Sequence, residues 1–401
     1  MKVLLVVSGA LAALACPLRA QDTTSTVDTT YVEYHESPIT LPLGFGLRIP
    51  SYDRVNGLTL PWGPQLVLGE DKVELDFLVS YRSNLGKWDP SIEGFVRPGD
   101  ANEIKLYVGR GTFTNDAWIR SDLMNSAAAL FVGSDARNYY RGDRASLRFT
   151  RTLSTSAITL TPFIGGNVER DWSTGSLTPQ KTPWSFFGRK SNLKMRRPNP
   201  PVASAHITSI LGGSGIQMSR GGLEGKLDVA VERTLSTSRP AGCAFADISC
   251  IMPDSSFTQV TLDSRVTFPT FGSQTFAFRG HALWTNVNLF APPQRWGYLG
   301  GAGTLATVNL LALGGDRLLY LEGDYKIPID RVVLPYVGSP FVALRYAAGS
   351  AGILKLPALI QNVGAGVGVS IFRVDYSIDP AQNRSPLSRK SAWSFGVSLS
   401  L

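Results

Sequence analysis

From about residue 58 onward, segment after segment alternates apolar and polar side chains with a period of two over roughly ten positions. In 73–82, Val73, Leu75, Phe77, Val79 and Tyr81 oppose Glu74, Asp76, Leu78, Ser80 and Arg82. In 317–329, Leu319, Leu321, Tyr325, Ile327 and Ile329 oppose Leu318, Tyr320, Glu322, Asp324 and Lys326. The last eleven residues repeat it, with Trp393, Phe395, Val397, Leu399 and Leu401 on one set. A period of two sends the sets to opposite faces of a sheet, whereas an amphipathic helix needs a period of 3.6. The chain is therefore all-β.

Length then separates two β architectures. Sandwich strands usually run about five or six residues, whereas strands that cross a membrane need about 9–11 and must close into a barrel. The runs here are of the second kind. Tight turns such as Ser83–Lys87 and Thr152–Ser156 alternate with stretches such as 171–203 and 288–315, an inequality typical of outer-membrane barrels. Charged residues are only 17% of the chain and mean hydropathy is +0.02. No apolar run after the first 20 residues reaches the roughly 20 residues of a membrane helix. The expected fold is a single closed antiparallel transmembrane β-barrel of sixteen strands, or fourteen if the weak stretches 127–134 and 371–378 are discounted. With odd strands running outward, 171–203, 236–254, 287–315 and 379–390 face outside and 113–126 faces the periplasm.

Residues 1–20 have the plan of a secretory leader: Lys2, an apolar core from Val3 to Ala15, and Leu18-Arg19-Ala20 as cleavage site. Acylation at Cys16 is the alternative. The stretch 21–56 is a periplasmic or lumen-packed tail, and 57–401 the barrel. The expected location is the bacterial outer membrane, crossed many times. The net charge of +8 is spread rather than clustered, which argues for no nucleic acid partner. Expected partners are outer-membrane lipid and lipopolysaccharide, the barrel-assembly machinery during biogenesis, and a periplasmic protein. The basic run 189–197 is either a lipopolysaccharide contact or a plain solvated loop.

Candidate lumen residues come from the polar face. Acidic ones are Glu74, Asp76, Asp228, Glu232, Asp263, Glu322, Asp324 and Asp375; basic ones are Arg82, Lys226, Arg265, Arg279, Lys326 and Arg373. They read as lateral ion pairs stiffening the wall or as a selectivity constriction. Gly364, Gly366 and Gly368 share one face, as in a curved or closely packed part of a wall. Cys243 and Cys250, in one outward loop, are expected to form a disulfide. The three histidines, His35, His206 and His281, stand in no catalytic spacing. No metal or phosphate-loop pattern occurs, so the chain is read as no enzyme and without cofactors.

Tyr52-Asp53-Arg54-Val55-Asn56-Gly57-Leu58 resembles the entry motif of the bacterial surface antigen superfamily, which includes the haemolysin-activator translocators and insertase barrels. Arg196-Arg197-Pro198-Asn199-Pro200-Pro201 resembles a proline-rich loop of that superfamily. The run from Pro293-Gln294-Arg295-Trp296-Gly297-Tyr298 to Leu305, followed by Gly314-Gly315-Asp316-Arg317 and Tyr325-Lys326-Ile327-Pro328, is similar to its sixth outer loop and twelfth strand. The family's Arg-Gly-aromatic loop tip is replaced here by Leu305-Ala306-Thr307-Val308-Asn309, and its periplasmic transport repeats are longer than 21–56. The resemblance implies that the loop folds back into the lumen, in line with the apolar run Leu299 to Leu311, while the replaced tip leaves as the alternative a loop that only covers the outer mouth. Arg295 and Arg317 bracket it, and Glu322, Asp324 and Asp228 are the expected acceptors for Arg295. The implied function is a pore or transport-related barrel. A protein or lipid assembly barrel and a closed structural or adhesive surface protein remain the alternatives.

Overall fold

The computed structural model describes residues 39–69, 71–174, 185–186, 197–202, 204–237, 256–288, 291–332, 338–370, 372–381 and 387–397. Residues 1–20, expected to be a leader, Cys243 and Cys250, expected to form a disulfide, and residues 189–196 lie outside the described residues.

Nineteen strand segments join one antiparallel sheet. Three of the strands are grouped here from two pieces each. They are β1 (Ile39–Thr40 and Ser51–Asp53), β2 (Gly57–Trp62 and Gln65–Leu68) and β6 (Tyr140–Arg151 with Leu153–Ser154). The others are β3 (Val73–Arg82), β4 (Lys87–Val96), β5 (Asn102–Phe113), β7 (Ile158–Ser173), β8 (Ala205–Arg220), β9 (Leu223–Thr237) and β10 (Thr258–Pro269). The series continues with β11 (Thr275–Asn286), β12 (Arg317–Pro328), β13 (Pro340–Gly352), β14 (Ile360–Val369), β15 (Phe372–Ile378) and β16 (Ser391–Val397). Each pairs with the next in a continuous meander, from Ser51↔Thr59 through Phe372↔Val397. Among the described residues β16 pairs only with β15.

The alternation read from sequence is the pleat. One face exposes Leu106 and Val108 on β5, Leu147 and Phe149 on β6, Ile164 and Val168 on β7. The opposite face carries Glu169, Arg279, Glu322 and Asp324. Turns at one end of the sheet are short, as at Gly221-Gly222 between β8 and β9, where both glycines have positive φ. The strand ends that flank the long intervals 114–139, 174–204, 238–257 and 287–316 all lie at the other end.

Two expectations fail here. The stretch 127–134 is not a strand: Asp122–Ala127 is an α-helix (α1), continued by a π turn over Ala128–Val132. A short Ala-rich apolar run suits either state, and three consecutive alanines favour the helix. The 113–126 segment, expected in the periplasm, therefore belongs to the long connection 114–139 and lies at the same end as the others. Part of the stretch set aside as a tail joins the sheet instead, since Ile39 faces Leu66 and Asp53 faces Gly57. Between β14 and β15 the turn is so tight that Ser370 takes φ 53.

The three aligned glycines of β14 make room for neighbours. A Cβ on Gly366 would fall 2.1 Å from Asp375 Oδ1, and one on Gly368 would fall 2.4 Å from the Phe341 ring.

Candidate functional site: a loop held on the polar face by buried charges

The polar face at the long-loop end is not open. Segment 296–312 packs against it, with Leu299 and Leu305 fully buried beside Leu283 (β11), Leu318 and Tyr320 (β12), and Ala347 and Ala351 (β13). Thirteen mostly apolar residues from Leu299 to Leu311 could not all sit in water without cost, and this packing removes most of them from it, leaving Asn309 exposed. A small hairpin, Gly297–Leu299 with Leu313–Gly315, forms the stem. At the tip, Thr307 N–H donates to Asn362 Oδ1 on β14 (3.0 Å), and Arg389 N–H donates to Thr307 O (2.8 Å).

Arg295 anchors the loop. Its Nε donates to Glu232 Oε2 at 2.8 Å, and its terminal nitrogen to Glu232 Oε1 at 3.0 Å and to Glu169 Oε1. Arg144 on β6 approaches the other Glu169 oxygen at 2.7 Å, and Asn167 Nδ2 donates to it at 3.0 Å. Gln259 Nε2 on β10 donates to the Arg295 carbonyl at 2.9 Å. Burial disfavours the charged guanidinium, but Glu169 and Glu232 more than offset this and hold Arg295 firmly protonated. The bidentate fork suits this geometry in a way that a lysine ammonium would not.

A second segment on the polar face is 114–139. Trp118 stacks on His281 of β11 with ring centroids 4.0 Å apart, and His281 Nδ1 lies 2.7 Å from Asp263 Oδ1. Arg279 donates to the carbonyls of Trp118 and Ile119, the latter at 3.3 Å, and to Gly303 O at 3.5 Å, so one side chain holds both loops. Arg345 on β13 donates to Thr304 O and to Glu322 Oε2, both at 3.0 Å.

A third cluster builds on Arg54, in the turn between β1 and β2. Its guanidinium donates to Arg197 O (2.5 Å), Arg137 O (3.1 Å) and Asn199 Oδ1, and lies over the Tyr139 ring. Its backbone N–H donates to Asp135 Oδ2 at 3.0 Å. Asp53 Oδ1 closes the turn by accepting from the N–H groups of Val55 (2.8 Å) and Asn56 (2.7 Å). The two motifs at 52–58 and 196–201, read separately from the sequence, meet here.

Several candidates are therefore placed differently from expectation. Arg295 takes Glu169 and Glu232 as partners, not Glu322, Asp324 or Asp228. Arg317 lies over the Trp284 ring at 4.3 Å on the outer, apolar face, because register pairs it with Trp284. Asp324 pairs with Arg373 and Asp228 with Lys226, at 3.0 Å for the latter, while Arg265 is exposed opposite Arg279. Sequence reasoning missed Glu169, whose signal was its parity with Asn167 and Asp171. Among the described residues no group of three His, Cys, Asp or Glu could hold a metal ion.

Asp116, in 114–139, is buried, with Oδ2 accepting the Asn138 N–H at 2.8 Å and Oδ1 unpartnered among the described residues. Burial pushes its carboxyl up to about 7 against the lowering effects of the Asn138 N–H, Arg197 and Arg137. A folded value above the unfolded one means stability present at low pH and lost as pH rises through about 7. Protease cutting within 114–139 should thus be slower at pH 5 than at pH 8, and Asp116→Asn should flatten that dependence. Equal cutting at both pH values in the parent protein would count against a buried neutral acid.

The fold is a continuous antiparallel meander with one apolar face, unequal connections and a loop packed against the polar face. The chain is similar to BamA from Haemophilus ducreyi lacking POTRA domains 1-3, at 13% identity and TM-score 0.51, covering 88% of this chain and 69% of that one. CdiB from Escherichia coli (13%, TM-score 0.47, 90% of this chain) and CdiB from Acinetobacter baumannii (13%, 0.46, 91%) also align. The chain spans 63% of the Escherichia coli CdiB chain. At this identity the likeness is one of fold. No protein-family model matches the chain, and no curated protein is similar to it.

Proposed function

We propose that the chain is an integral outer-membrane β-barrel of the surface-antigen type, a transport-related pore closed at rest by its own loops. The observation that carries this is the Arg295 lock, which ties the largely buried segment 291–316 to two carboxylates on the wall. Sixteen crossings follow from grouping the strand pieces. A lipid-embedded sheet cannot leave an edge unpaired, so the reading closes the wall between the first crossings and β16. It includes cleavage of the leader after Ala20, a disulfide between Cys243 and Cys250 outside the cell, assembly by the barrel-assembly machinery, and no catalysis.

A second reading, the handling of protein or lipid chains at the seam, is favoured by one feature. Pairing of β1 with β2 is limited to Ile39–Thr40, Ser51–Asp53 and a bridge from Leu47 to Trp62, so this side of the wall is lightly held. A cystine engineered between β1 and β16 would leave a plugged pore working but stop a seam-dependent activity.

The apolar outer face sets the first test. The protein should sediment with outer membranes and stay there through alkaline carbonate extraction. Recovery as a soluble periplasmic monomer would overturn the membrane reading.

A further inference from the structure

The outer face is apolar over most of its height, yet it carries a charged row at the long-loop end. Arg110 (β5), Asp143 (β6), Arg170 (β7) and His206 (β8) are consecutive register partners, so their side chains line up across four strands. By alternation they share the face of Val108, Leu147 and Val168, which are 45%, 54% and 53% exposed. Arg110 makes a two-point bond to Asp143, Nε to Oδ1 at 2.7 Å and the terminal nitrogen to Oδ2 at 3.0 Å, and lies over the Trp172 ring. That fixes the guanidinium while using two of its five N–H donors. Arg170 is exposed and donates no side-chain hydrogen bond among the described residues. Beneath the row runs a groove of about 900 Å³, lined by Phe77, Ile92, Val108 and Val168 and reaching Arg110, Asp143, Arg170 and His206.

A charge on a lipid-facing wall is costly at mid-depth and tolerable near the interface. The row lies within three residues of the strand ends on β5, β6 and β7. The same end of the outer face carries the aromatic pairs Tyr81–Trp88 and Tyr376–Trp393, the residue type that marks a membrane interface. Two guanidiniums against one carboxylate leave a positive excess directly above an apolar groove. That combination complements a molecule with an anionic head and hydrocarbon tails, and arginine is the side chain suited to phosphate.

We propose that the rim of β5–β8 is a binding site for the phosphorylated headgroup of lipopolysaccharide, with Arg110 and Arg170 as phosphate donors and the groove receiving an acyl chain. The site rests on the membrane reading above, and nothing in the lumen is needed for it. Asp143 orients Arg110 rather than touching the lipid.

The test uses the full-length mature protein in phosphatidylcholine vesicles, with binding of labelled lipopolysaccharide and of its dephosphorylated form. The parent protein should prefer the phosphorylated form, and the double variant Arg110→Ala, Arg170→Ala should bind it about tenfold more weakly or worse, as expected for lost charge-assisted bonds. Arg110→Lys, Arg170→Lys should recover part of the loss, which a merely structural role would not. Equal binding of both lipid forms, or no effect of the double variant in a protein that is folded and inserted, would overturn the site alone. Full competition by inorganic phosphate without tails would overturn the lipid assignment. Failure of the parent protein to enter vesicles would overturn the membrane reading and the site with it.

Discussion

Replacing Arg295 by Ala should release the loop 287–316 from the wall. The substitution leaves Glu169, whose side chain is 0% exposed, and Glu232, at 12%, without their shared cation. Breaking a buried pair by removing one partner typically costs about 3–5 kcal/mol, because the remaining charge stays desolvated. Glu169 keeps Arg144 at 2.7 Å, so the orphaned charge is mainly that of Glu232, and the lower end of the range is expected. The apolar tip, from Leu299 to Val308, would then lose the tether that holds it on β11, β12 and β13. Cutting by added protease within 296–312 should accelerate at least tenfold, the factor that 1.4 kcal/mol of local destabilisation gives. Arg295→Lys should fall between, since an ammonium keeps the charge but not the fork. An unchanged cutting rate would mean that the apolar packing alone holds the loop.

Arg54→Ala is the second large change. Its guanidinium satisfies two backbone carbonyls, those of Arg137 and Arg197, and the side chain of Asn199, all in segments far away in sequence. Arg54 is fully buried, so water cannot replace these bonds without opening the cluster. Losing them should cost about 3 kcal/mol, at the upper end for hydrogen bonds to a charged group. Loss of amide protection should appear in 114–139 and 197–202 while the wall strands β8–β13 keep theirs. The bond from the Arg54 N–H to Asp135 survives the substitution, as does the Asp53 turn, so the hairpin itself should persist. Uniform loss of protection across the sheet would contradict a local role.

The wall was legible because a pleat writes its two faces into alternate residues, and long strands repeat that many times. The exceptions have physical causes. Segment 39–53 was unreadable as a crossing because Pro42, Gly44 and Gly46 interrupt it and Leu43 takes φ 56, so no period survives. The stretch 127–134 was misread because a short apolar run looks alike in a strand and a helix. Glu169 was missed because Gly165 and Gly166 blur the alternation in β7. The partners of Arg295 lie 63 and 126 residues away and meet it only once the loop has folded inward, which no local pattern encodes. Arg54 drew notice through a motif, but its bonding depends on three loops arriving at one place.

The central claim is a pore closed by its own loop, and single-channel recording in planar bilayers tests it most directly. The parent protein should be silent or nearly so, and folded Arg295→Ala protein should show frequent open steps. A parent protein that conducts as freely as the variant, or a correctly inserted variant that stays silent, would contradict the account.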